Sequence, residues 1–148
     1  MSYSPKFRGA TSSAPTQSVQ NTFNNSTGVT ILKLMPVYSN TSGDIALIDV
    51  SNEAQALAAV GITAENISHL SSGKVISSGR LEDVSISYAF GSALFISKTG
   101  TLTNVKPSVG SGGFEIGDFA IHVGVVVKNI GNPALKDILM SVGVVGQL

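Results

Sequence analysis

His69 and His122 are the only histidines in this 148-residue chain, and there is no cysteine. Neither histidine sits in a His-x-x-x-His pattern. A zinc site needs about four nitrogen or sulfur ligands, so no metal centre is expected, and the two read as a surface His69 and a strand His122. Glu82-Asp83 and the pair Glu115 and Asp118 bring carboxylates close in sequence, a spacing that could serve acid–base chemistry or calcium. Both lie beside turns, where carboxylates ordinarily solvate the chain, and no Asp-x-Asp-x-Asp-Gly loop is present. Gly110-Ser111-Gly112-Gly113 lacks the lysine of a phosphate-binding loop and runs into Phe114-Glu115-Ile116 instead of opening a helix, so it reads as a flexible loop. No serine has the Gly-x-Ser-x-Gly setting of a nucleophile elbow, and no thiol is available. The sequons in Asn24-Asn25-Ser26-Thr27, Asn40-Thr41-Ser42 and Asn66-Ile67-Ser68 mean nothing specific in a Ser- and Asn-rich chain without a secretory signal. The expectation is a protein without catalytic residues, metal ligands or cofactor, and not an enzyme.

Composition narrows the partners. Charged residues make up 12% of the chain, nine basic against nine acidic, so there is no uniform field to attract nucleic acid or an anionic membrane. Without cysteine there is no disulfide framework. The N-terminal residues lack the apolar core of a secretory signal, and no apolar run approaches the ~20 residues of a membrane span. Synthesis in the cytosol as a soluble chain is expected. Mean hydropathy is positive (+0.31) while aromatic residues are only 6%, which implies a surface of Ser, Thr, Asn, Gly and small apolar side chains. Surfaces of that kind are often buried in assemblies.

The elements follow from a sharp change of character. Residues 1–28 are mostly Ser, Thr, Asn, Gln, Pro and Gly, and their few apolar residues (Phe7, Val19, Phe23) are too widely spaced to make a helical or strand face. This segment reads as a flexible polar arm. From Val29 to residue 148 the chain reads as one β-rich domain. Strands are expected at Val29–Met35 (ended by Pro36), Asp44–Val50, Ala58–Thr63, Lys74–Ser78, Val84–Phe90, Ala93–Ser97, Phe119–Val127 and Ile138–Val145. Ser51–Ala59 is the one helical stretch, with Ser51 as its N-cap. Many short strands with almost no helix predict an all-β fold, a small sandwich or barrel with at most one short helix and an extended N-terminal arm.

Two halves of the domain are alike, about 36–88 and 89–148. Val60-Gly61-Ile62, Asn66-Ile67, Ser77 and Gly79 find counterparts in Val123-Gly124-Val125, Asn129-Ile130, Ser141 and Gly143. Gly43–Ile48 likewise parallels Gly91–Ile96, and the second copy carries roughly 15 additional residues near Leu102–Gly117, which suits a projecting loop. The succession Ser42-Gly43-Asp44-Ile45-Ala46-Leu47-Ile48, Ala59-Val60-Gly61-Ile62 and Gly73-Lys74-Val75-Ile76-Ser77-Ser78-Gly79 resembles small phage head decoration (cement) proteins of the lambda-type, tulip-like family. Most of residues 36–146 share in the likeness, through short β motifs. The Leu102–Gly117 loop departs from the simplest family pattern.

The resemblance implies a structural virion protein on the capsid surface, a homotrimer that binds the major capsid protein of an assembled head and stabilises it. It also implies an arm that orders on binding, here carried by Tyr3, Pro5, Lys6, Phe7, Arg8, Val19 and Phe23. Physically, an extended polar segment can donate backbone hydrogen bonds to an exposed sheet edge, while the ordering cost keeps it loose until that edge is present. The alternative is a tail-fibre or tail-tip adhesin for host carbohydrate. That reading lacks the aromatic platforms sugar sites favour, since tryptophan is absent and the tyrosines are Tyr3, Tyr38 and Tyr88.

Overall fold

The computed structural model describes residues 18–148, and almost all regular structure in them is β. The strands are β1 (Ser18–Asn25), β2 (Pro36–Ser39), β3 (Ile45–Leu47), β4 (Ala59–Thr63), β5 (Ser71–Leu81), β6 (Ala93–Ile96), β7 (Leu102–Thr103), β8 (Phe119–Lys128) and β9 (Lys136–Gln147). The single short helix, α1 (Glu53–Leu57), lies between β3 and β4. The all-β class with a small barrel, expected from the strand spacing, is what the chain adopts.

Neighbouring strands run in the order β1-β3-β2-β4-β5-β9-β8-β6-β7, and β1 pairs in addition with β5. That extra pairing closes β1, β3, β2, β4 and β5 into a five-stranded barrel. β1 is antiparallel to β5 from Ser18↔Gly79 to Asn25↔Ser71, whereas it meets β3 only at Asn25↔Ile45. β4 pairs with β5 at Ile76 and Val75, and β9 pairs with it from Ser78 to Leu81. Because β1 also pairs with those β5 residues up to Gly79, β4 and β9 must follow one another along the opposite edge of β5. The second half of the chain therefore branches off the barrel wall as an open sheet, β9-β8-β6-β7.

Alternation along β5 divides the core in two. Val75 faces the barrel interior with Val37, Ile45, Ile31, Ile67 and the half-buried Phe23, Met35 and Val60. Ile76 faces the other way, into a larger cluster with Ile62, Leu94, Ile96, Phe114, Ile121, Val123, Val126, Ile138 and Met140. The larger core thus fills the space between the barrel wall and the open sheet. Val60 and Ile62 would share a face in a regular strand, yet they reach different cores. The register of β2 on β4 (Val37↔Gly61, then Tyr38↔Ala59) leaves Val60 as an extra, bulged residue that turns it inward. β8 carries the same kind of bulge at Val123, left over between the pairs Leu94↔Gly124 and Phe95↔His122 of its ladder with β6. At each bulge the glycine is obligatory. A Cβ on Gly61, whose φ is +149°, would strike the Ile76 carbonyl oxygen, and one on Gly124 would strike that of Leu139.

Several boundaries differ from the sequence reading, each for a physical reason. Ser18–Asn25, read as part of the arm, is a strand; seven of its eight residues show no burial alternation because they are partly or fully exposed, and backbone pairing with β5 holds them. Val29–Met35 is not a strand: it bridges only at Ile31↔Ile67, and Leu34 sits in the left-handed region at φ 69°. Its polar backbone is tied instead to Thr63, whose hydroxyl donates to the Leu32 carbonyl at 2.7 Å and accepts from the Met35 N–H at 3.0 Å. Pro36 begins β2 rather than ending a strand, a position where its missing N–H costs no ladder bond.

Val84–Phe90 joins no ladder, although Val84, Ile86 and Tyr88 all pack on the larger core. The Lys136 ammonium holds its Tyr88 carbonyl at 2.6 Å, and the Val84 N–H donates to the Lys136 carbonyl. The helix is shorter than Ser51–Ala59, and Asn52, not Ser51, caps it by accepting the Gln55 N–H. Leu102–Gly117 does not simply project: it carries β7, and Phe114 is buried in the larger core.

Candidate interaction surface

Of the residues assigned to the capsid-binding arm, Tyr3, Pro5, Lys6, Phe7 and Arg8 lie outside the described residues. Val19 and Phe23 lie on β1. Val19 is 54% exposed, whereas Phe23 leans on the barrel core opposite Gly73. Gly73 leaves room there, since a Cβ would collide with the Ile67 side chain that fills the same space. Among the described residues, the outer edge of β1 is engaged only at Asn25, so residues 18–24 present backbone donors and acceptors to one side. That edge carries no charge and no proline, the devices by which exposed strand edges are usually protected.

What fixes this edge in place is Asn25, which is fully buried. Its amide nitrogen donates to the carbonyls of Val29 and Ile67, both at 2.7 Å. Its side-chain oxygen accepts from the Thr27 N–H at 2.9 Å and the Thr27 hydroxyl at 2.7 Å. Its own carbonyl accepts from the Leu70 N–H. A buried amide so fully satisfied is a latch, because losing it strands several polar groups at once. Two further ties hold the turn after β1: the Ser26 hydroxyl donates to Asp44 Oδ2 at 2.7 Å, and the Gly28 N–H donates to His69 Nδ1 at 3.0 Å. His69 is an exposed turn residue that serves as an acceptor, and His122 is a β8 residue whose ring meets that of Phe95 edge-on.

Of the carboxylates singled out in the sequence, Asp118 and Glu115 gather at Lys98. Asp118 is buried and bound to the Lys98 ammonium at 2.6 Å, and it also accepts the Glu115 N–H. The Lys98 hydrogen bond is the main reason its carboxyl is held below the usual range. Asp83 matters through its backbone, which donates to Asp137. Asp137 carries no signal in the sequence. Burial pushes its carboxyl up, but the Asp83 N–H, the Asn129 amide and Arg80 at 2.9 Å together hold it lowered. This cluster ties β5 to β9 where the open sheet leaves the barrel. No group of three or more metal-ligating side chains occurs among the described residues, and none of their helices is long and apolar enough to cross a membrane.

No protein-family model matches this chain, and no curated protein sequence matches it significantly.

Proposed function

We propose that this chain is a non-enzymatic structural virion protein, a decoration or cement protein that binds an assembled phage head as a trimer and stabilises it. The observation that supports the reading best is β1: an uncharged strand with an open outer edge, latched to a barrel, and preceded by 17 residues of mostly polar chain. Such an edge can exchange backbone hydrogen bonds with an extended segment of the major capsid protein, and repeated weak contacts add up over a symmetric particle. Low charge suits close subunit packing.

The test is addition of the protein to undecorated heads. The deletion must stop at residue 17, because removing β1 would open the barrel. The full chain is expected to bind and to raise the temperature at which heads rupture, and the deletion variant to bind more weakly. Full-strength binding by the variant lacking residues 2–17 would remove the arm from the proposal, and failure of the full chain to bind any head would remove the cement role. Light scattering on the isolated chain reads the trimer directly. The tail-borne alternative is separated by where the protein lies in particle images.

A further inference from the structure

Between the end of β2 and α1 lies an open concavity of about 370 Å3, at the lower end of the size of small-ligand clefts. Its lining includes Tyr38, Asn40, Thr41, Asn52 and Gln55, and no lining residue is charged. The three carboxamides are oriented by bonds to their oxygens. Asn40 Oδ1 accepts the N–H groups of Ser42 and Asp44, both at 3.0 Å. Asn52 Oδ1 accepts the Gln55 N–H at 3.2 Å, and Gln55 Oε1 accepts the Asp49 N–H at 2.8 Å. With every oxygen turned toward the chain, each NH2 group is turned away from it. Asn40 Nδ2, Asn52 Nδ2 and Gln55 Nε2 have no partner among the described residues, and neither do the hydroxyls of Tyr38 and Thr41.

We infer that this concavity binds a neutral saccharide. Three fixed amides supply donors with no cation beside them to balance a charge, a set that suits the ring and hydroxyl oxygens of a neutral ligand. An ordinary surface amide rotates freely in water and must be immobilised to bind. These three are already held by the turn at Asn40 and by the helix that follows Asn52, so little side-chain entropy is lost on binding. Tyr38, packed against the larger core, is a rigid aromatic wall for the apolar face of a sugar ring. The site is shallow, so a single copy is expected to bind weakly, and display in many copies would multiply the effect. The inference goes beyond the proposed capsid role and stands whether or not the chain binds heads.

The experiment uses the full chain, labelled with nitrogen-15, titrated with lactose and with N-acetylglucosamine while side-chain NH2 resonances are followed. Saturable, concerted shifts of the Asn40, Asn52 and Gln55 amides are expected with at least one of these sugars. Asn52→Asp and Gln55→Glu keep the oxygen acceptors that the fold uses and remove the donors. Each is expected to weaken binding about tenfold while the backbone spectrum elsewhere is unchanged. Tyr38→Phe, which keeps the ring, is expected to weaken it less. Shifts with neither sugar, or undiminished shifts in both acidic variants, would overturn the inference. So would a response of the same resonances to inorganic phosphate but to neither sugar.

Discussion

The two halves of this molecule use similar strands in opposite ways. In the first, five strands close on themselves around a small core of Val37, Ile45, Ile67 and Val75; in the second, four strands stay open and lay one face on the larger core. Both turn a bulge at a Val-Gly pair, and both need glycine where a neighbouring carbonyl comes close. The difference is β1. Only in the first half does a strand pair along the far edge of β5 and close the sheet on itself, and that strand comes from a segment with no hydrophobic pattern of its own. Closure here depends on backbone pairing and one buried amide more than on a greasy strand.

The largest effect expected is at the bulges. Gly61→Ala should cost about 4 kcal/mol or abolish folding, because it adds an unfavourable φ to a collision with backbone. Gly124→Ala meets the collision alone and should cost less. Urea unfolding of the two variants measures the gap, and equal losses would mean that the bulges do not differ as described. Phe114→Ala, which empties part of the larger core, should cost about 3–4 kcal/mol, read in the same way.

Asn25→Ala should cost about 2–3 kcal/mol, and its signature is local. Hydrogen exchange is expected to speed up along β1 and the facing part of β5 while β8 and β9 stay protected. Uniform loss of protection would show that the barrel and the open sheet unfold as one unit.

The smallest effect is with pH. Asp118 and Asp137 titrate lower in the folded chain than unfolded, so the unfolded state binds more protons in acid. Their stabilisation is complete above the ordinary carboxylate range and is lost as pH falls through that range and below it. The urea midpoint should therefore be flat from neutral pH to about 5 and then decline. Asp137→Asn should flatten the decline at the junction of the halves, and Asp118→Asn within the open half.

Strands that carry β-branched runs were legible in the sequence: β4, β6, β8 and β9 fall within a few residues of where Ala58–Thr63, Ala93–Ser97, Phe119–Val127 and Ile138–Val145 place them. Alternation at Val84, Ile86 and Tyr88 correctly marks a buried face but says nothing of whether a partner strand lies alongside, and none does. β1 was invisible because its information resides in β5, some 50 residues on, and in Asn25, whose partners are backbone atoms. The saccharide concavity was hidden for a similar reason. Asn40, Asn52 and Gln55 are unremarkable in sequence, and only the bonds that engage their oxygens leave all three nitrogens without a partner beside one concavity. Tyr38 was noted as one of three tyrosines, without any means of seeing what it would face.

The antiparallel ladder between β1 and β5 also has a mechanical meaning. A pull on Ser18 along the strand axis loads the ladder from Gly79 to Ser71 in shear, so its hydrogen bonds share the force and must fail together. A pull across the axis peels them singly, beginning at Ser18↔Gly79. A tether attached ahead of Ser18 is thus strong in one direction and weak in another, and the barrel converts the angle of a load into the force at which it lets go.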